Sequence, residues 1–267
     1  INYAMDAEYL GGTMEFDLAV LKITGSPVLM SSNAIACEFA DSNKIAVLET
    51  AIAVGNANGD GISATLGRVN VDSEQIDILG ADERTSLEDF RVLRTDAAVN
   101  SGNSGGGLFD ENGNIIGIVN ARSSSTSIEN IGYAIPSNVA RAVTDNIIDH
   151  CYGTDCTSFM RAMLGVTVIP SSLSTRYDDS TGRIERYEEV SVYEISNGSL
   201  AKEIFEVGDV IKQVKIEAKV FDINRQFQLI DAMLDARVGD TVTFTVVRGG
   251  AEIELSTTIT ESCLTAD

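Results

Sequence analysis

"VNSGNSGGGLFDENGNIIGIVNA", Val99 to Ala121, sets Ser104 among glycines and follows it closely with an apolar run. A serine hydroxyl is a poor nucleophile until a base takes its proton, and attack on a carbonyl leaves negative charge on the carbonyl oxygen. Backbone N–H groups reach that oxygen only where the main chain turns tightly, which glycine permits because it lacks Cβ. "GNSGG" supplies such a turn, in which the N–H groups of Gly102 and Ser104, on either side of Asn103, form an oxyanion hole. The same letters also spell a glycine-rich β-turn with an incidental serine, so the flanking sequence has to decide.

Upstream of Asn120, short β-branched or apolar runs alternate with turn signals. The runs are Phe16–Ile23, Ile45–Asn56, Ile62–Val71, Arg91–Thr95 and Asn114–Ala121, separated by stretches such as "NANGDG" and "DENGN". That spacing predicts an all-β barrel or sandwich. The first convincing helix comes after it: Ser137 caps it, and Val139, Ala142, Val143, Ile147 and Ile148 share one face. "HCYGTDC" (His150–Cys156) then reads as a linker. Beyond it lie strands at Leu164–Val168, Glu189–Ile195, Asp209–Ile216, Thr241–Arg248 and Glu252–Ile259, with a helix within Asn224–Ala236. The helix has a core stripe of Phe227, Ile230 and Met233/Leu234. This second part reads as a small α+β domain.

The chain has 267 residues, 44% hydrophobic and 22% charged, enough for two domains with substantial cores. Its formal net charge of −21 argues against nucleic acid or an anionic membrane surface as the main partner. No apolar run approaches the roughly 20 residues of a membrane span, and no signal peptide opens the chain. The first residue is Ile1, so either something was removed upstream or the chain is part of a longer product. Cys151 and Cys156 are close enough to pair in an oxidising compartment, with reduced thiols the equal alternative. A zinc site on His150, Cys151 and Cys156 would lack a fourth ligand; no metal and no cofactor is expected.

"LRTDAAVNSGNSGGGLFDENGNIIGIVNA" followed by "IGYAIPSN" resembles the region around the catalytic serine of HtrA-type serine proteases, of the chymotrypsin-like class. "DLAVLKI" (Asp17–Ile23) resembles the strand carrying that family's catalytic aspartate, and Ala53–Asn70 resembles the segment joining its two barrels. "RAMLGVTV", "VGDVI" and "VGDTVTFTVVRGG" look like its PDZ domain. The resemblance implies a chymotrypsin-like double β-barrel, its first barrel incomplete in this chain, followed by a small α+β PDZ domain. The expected limits are 1–150 for the protease domain, 151–160 for a linker and 161–262 for the PDZ domain.

By the same resemblance Ser104 is the nucleophile and Asp17 steadies the histidine. Gly102, Asn103 and Ser104 form the oxyanion hole, and Ala98, Val119 and Ala121 line the specificity pocket. Ala98 offers no charge to Lys or Arg, which predicts cleavage after small or medium aliphatic residues. In the PDZ domain Met163, Leu164, Gly165 and Val166 match the carboxylate loop and Val166–Val168 the receiving strand, with Leu229 and Met233 in the side-chain pocket. Two positions depart from the family: Gly107 stands where it usually has proline, and there is no catalytic histidine before Asp17.

His150 is the only histidine. It closes the helix after the barrels, where the macrodipole favours a cation, and it is not expected to be the base. The chain is therefore expected to lack the start of the first barrel, with its histidine and any membrane anchor, and to be nearly inactive on its own. The implied function is endoproteolysis of unfolded or damaged proteins outside the cytoplasm, with C-terminal peptides held at the PDZ domain. The alternative is a pseudoprotease acting as a PDZ peptide-binding sensor or chaperone. Family members form trimers through N-terminal segments these residues do not contain, so the oligomeric state, homotrimer included, stays open.

Overall fold

A computed structural model describes residues 5–79, 86–120, 131–151, 159–179 and 182–266. The chain forms two compact units, Ile1–Phe159 and Met160–Ala266.

The first unit opens with a hairpin, β1 (Ala7–Thr13) and β2 (Leu18–Ile23), paired from Ala7↔Ile23 to Thr13↔Leu18. A short helix, α1 (Pro27–Met30), follows. The barrel strands are β3 (Thr50–Gly55), β4 (Ser63–Leu79), β5 (Ser86–Thr95), β6 (Gly107–Phe109), β7 (Ile115–Asn120) and β8 (Gly132–Pro136). They close in the order β3-β4-β5-β8-β7-β6. Strand alternation sends every second residue inward. Ala51, Ala53, Val69, Leu93, Leu108 and Val119 thereby form the filled interior, as expected of a small barrel. Among the described residues, the hairpin β1–β2 is what stands for the first barrel.

Helix α2 (Ser137–Cys151) lies against β1, β2, β7 and β8. Val139, Ala142, Val143 and Ile147 are buried as expected, but Ile148 is 42% exposed, at the rim of that face. Ser137 does not act simply as a cap. Its hydroxyl donates to the Ala40 carbonyl at 2.7 Å, and Ser42 Oγ accepts from the N–H of Asn138 at 3.1 Å. The strand expected over Ile45–Asn56 begins only at Thr50, because Leu48 takes a left-handed conformation (φ 73°). Its N–H then reaches Val69 O, while Glu49 O accepts from Val69 N–H.

The second unit contains β9 (Met160–Ala162), β10 (Val166–Asp178), β11 (Arg183–Ile195), α3 (Ala201–Ile204), β12 (Val210–Ile216) and β13 (Lys219–Asp222). It continues through α4 (Gln226–Met233), β14 (Thr241–Arg248), β15 (Ala251–Thr258) and β16 (Leu264–Ala266). The sheet runs β10-β11-β12-β14-β15, with β13 beside β12, and β9 pairs with β16. Phe244, at the centre of the core, meets Phe205 edge to face at 4.9 Å. Met233 and Leu234 are buried as expected, but Leu229 and Ala232 join them in place of Ile230, which is 48% exposed. The sheet sees α4 along the Leu229–Met233 row, an i,i+4 pair that leaves Ile230 one residue off the buried face.

An ion pair between buried Asp209 and half-buried Arg248 ties the turn before β12 to β14. Arg248 donates from Nε and Nη2 to the two oxygens of Asp209, both at 2.7 Å. Burial pushes the Asp209 carboxyl up, but Arg248 and the Glu206 N–H outweigh it and hold the group below the usual carboxylate range.

Candidate active site

The turn bearing Ser104 is built by hydrogen bonds on both sides. Asn58 N–H donates to Ser101 O at 2.8 Å, and Gly106 N–H donates to Asn103 O at 2.9 Å. In a trans peptide a carbonyl and the following N–H point in opposite directions. The N–H groups of Gly102 and Ser104 are therefore directed away from the groups that hold the Ser101 and Asn103 carbonyls. The Asn103 N–H donates instead to Asn100 O at 2.9 Å, and Asn103 itself is buried. Gly102 (φ 97°) and Gly105 (φ 81°) both adopt positive φ. A Cβ on Gly102 would collide with the Asn56 carbonyl, so only glycine fits. Ser104 is exposed.

Two bonds fasten this turn to β7. Gly105 N–H donates to Val119 O at 2.9 Å, and Val119 N–H donates to Gly106 O at 2.8 Å. The next residue, Asn120, is buried and donates from Nδ2 to Asp17 Oδ2 at 3.0 Å. Asp17 stands in a left-handed conformation (φ 49°) just before β2. Serine turn and carboxylate, 87 residues apart, are thus anchored to adjacent residues of one strand. Asn120 was not among the residues the sequence singled out. A lone amide at a strand end carries no local signal of its distant partner.

Of the expected pocket residues, Ala98 is exposed and its carbonyl accepts from Thr65 Oγ1 at 2.8 Å. Val119 is buried in the barrel interior, and Ala121 lies outside the described residues. At Gly107, a Cβ would meet the ring edge of Phe109. His150 is exposed in the last turn of α2, its Nδ1 3.0 Å from Asn146 O. The side chains of Cys151 and Cys156 are outside the described residues; among those described, no cluster of His, Cys, Asp and Glu suits a metal ion.

In the second unit, Leu164, Val168, Leu229 and Met233 are buried in one apolar cluster with Val166 packed on it, while Met163 is exposed. Gly165 takes positive φ (74°). The Leu164 carbonyl accepts from Ala201 N–H at 3.0 Å, and the Gly165 carbonyl accepts from Ser196 N–H at 2.9 Å. By the same trans-peptide geometry, the N–H groups of Gly165 and Val166 point the other way. Consecutive amides around a left-handed glycine make a concave donor pair of the kind that holds an anion.

Residues 3–118 match the trypsin-like peptidase domain, and residues 162–259 match the PDZ domain. The serine protease Do-like HtrB of Bacillus subtilis is 31% identical over an alignment of 262 residues that covers 96% of this chain and 54% of that protein. The chain is similar, over nearly its whole length, to HtrA-like serine proteases. Another HtrA-like relative, the probable periplasmic serine endoprotease DegP-like of Chlamydia trachomatis, is 32% identical across 96% of the chain and 46% of its own length. The chain thus spans about half the length of these curated relatives. Among solved structures, the HtrA-type protease AlgW with a tripeptide aligns at a TM-score of 0.57 and 29% identity, over 95% of this chain and 76% of that one. The HtrA-like fold of a trypsin-like part followed by a PDZ domain accounts for both units.

Proposed function

We propose that the chain carries the nucleophilic half of an HtrA-type serine endopeptidase. Ser104 Oγ attacks a substrate carbonyl and gives its proton to an imidazole that Asp17 steadies. The N–H groups of Gly102 and Ser104 take the charge on oxygen. The imidazole then protonates the departing amine, and water hydrolyses the acyl-serine with the same imidazole as base. The observation that carries this reading is the joint anchoring of the Ser104 turn and Asp17 on Val119 and Asn120. His150, hydrogen-bonded within its own helix, is a poor source of that imidazole, so the reading takes the base from outside these 267 residues.

Ala98 supports cleavage after small or medium aliphatic residues, and the donor pair at Gly165 and Val166 supports capture of C-terminal carboxylates. A relative named as periplasmic supports work outside the cytoplasm, where unfolded or damaged polypeptides are the proposed substrates. A second reading, a binding protein that kept the scaffold, draws on the position of the one histidine. Fluorophosphonate labelling of the protein as isolated from its own cells separates the two, with Ser104→Ala as control. The protease reading expects a single modified peptide containing Ser104 and no label in the variant. A folded wild-type protein left unlabelled at Ser104 favours the binding protein.

A further inference from the structure

β10 is the terminal strand of its sheet, and the bonds around it fix which of its groups face the open edge. Ser196 N–H bonds Gly165 O, so Val166, opposite Ile195, occupies the next, outward-facing position of the ladder. Val192, opposite Val168, gives its N–H to Asp209 O and receives Gly208 N–H at its carbonyl. Val168 is thereby turned outward too. The next outward position is Pro170, which has no N–H to offer. An extended peptide laid along this edge from its carboxylate meets amide donors at Val166 and Val168, then none at 170.

Val168 O, however, already accepts from Gln226 Nε2 at 2.7 Å. Gln226 opens α4, and its own N–H is held by Glu188 Oε2 at 2.9 Å. Glu188 is buried and paired with Arg186 at 2.9 Å. The backbone of Gln226 is thus pinned while its side chain spans from α4 to the strand edge. We propose that Gln226 is a built-in competitor for peptide: its amide fills the acceptor of the last complete rung on β10, and a C-terminal peptide enters by displacing it. The inference rests on the peptide-binding reading of this edge. With two rungs available, surrendering or regaining one is a large part of the backbone recognition. The site therefore reads short free-acid tails, and Gln226 sets their threshold.

The test uses the intact protein and a library of free-acid decapeptides ending in Val, Leu, Ala or Phe. The tightest peptide is then measured by fluorescence anisotropy against wild type and Gln226→Ala, at full length and trimmed to its last three residues. Gln226→Met, of similar length but without the amide, replaces alanine if that variant unfolds. The expected result is roughly fivefold tighter binding to the variant, the worth of about one net hydrogen bond, with the tripeptide within about threefold of the decapeptide. Equal or weaker binding by the variant overturns the competitor role. A decapeptide more than about tenfold tighter than its tripeptide overturns the two-rung edge. If amidated decapeptides bind as well as free acids, or neither protein binds any peptide, the peptide-edge reading itself fails and the competitor with it.

Discussion

Asn120 is where a single side chain carries most consequence. It touches Asp17 rather than the reacting atoms, so it is a positioning residue. Asn120→Ala is expected to lower kcat about tenfold or more with KM nearly unchanged, while Asn120→Ser, which keeps a donor, restores part of the loss. A purely structural role would instead move Tm and leave the kcat of the folded fraction intact. Gly102 makes a second case. Gly102→Ala combines a disfavoured φ with a collision against the Asn56 carbonyl, and is expected to cost about 2 kcal/mol or more. Gly113→Ala, with a similar φ but open space, is expected to cost only about 1 kcal/mol. Denaturant unfolding of the two variants separates collision from backbone strain. The serine turn was legible because its chemistry needs contiguous glycines, a local pattern. Asn120 was not, because its partner lies 103 residues away and only the closed barrel brings them together.

Elements whose burial alternates or spans a whole face were the readable ones. β14 was placed residue for residue at Thr241–Arg248, since its alternate side chains are buried in the second core. β4 runs eight residues past its predicted end at Val71, because the polar stretch Asp72–Gln75 interrupts the hydrophobic period before the strand goes on to pair with β5 as far as Leu79. Along α4 Met233 keeps its expected burial, while Leu229 takes the place expected of Ile230, because the two are equally apolar and only the packing direction chooses between them. The link from the Asp209 turn to β14 gives a pH test at this scale. Its carboxyl lies below its unfolded value of about 3.9. It therefore contributes stability above that pH and loses it as pH falls through the folded value. Asp209→Asn is expected to cost about 3 kcal/mol near pH 6. That gap should close as urea titrations are repeated at lower pH, below about 4; a gap constant down to pH 3 would count against the ion pair.

For the molecule as a whole, 40 acidic residues against 19 basic ones leave a strongly self-repelling surface. Raising NaCl from 0.05 to 0.5 M, which shortens the screening length from over 10 Å to a few ångströms, is expected to raise Tm by several degrees. A fall would mean that exposed pairs such as Lys44–Asp41 outweigh the net repulsion. The two-part architecture was legible from composition and motif order, because each unit buries its own apolar set. What the sequence left open was the inner wiring of the first unit.

That wiring has a cost. β7 is six residues long and borders β6 and β8, and both halves of the proposed machinery hang on its last two residues. Slipping it by one position would turn Asn120 to the opposite face and shear the Ser104 loop in the same stroke. Damage to this rail should thus produce two populations, one fully competent and one dead. In an active-site titration the labelled fraction would shrink while the survivors kept their speed.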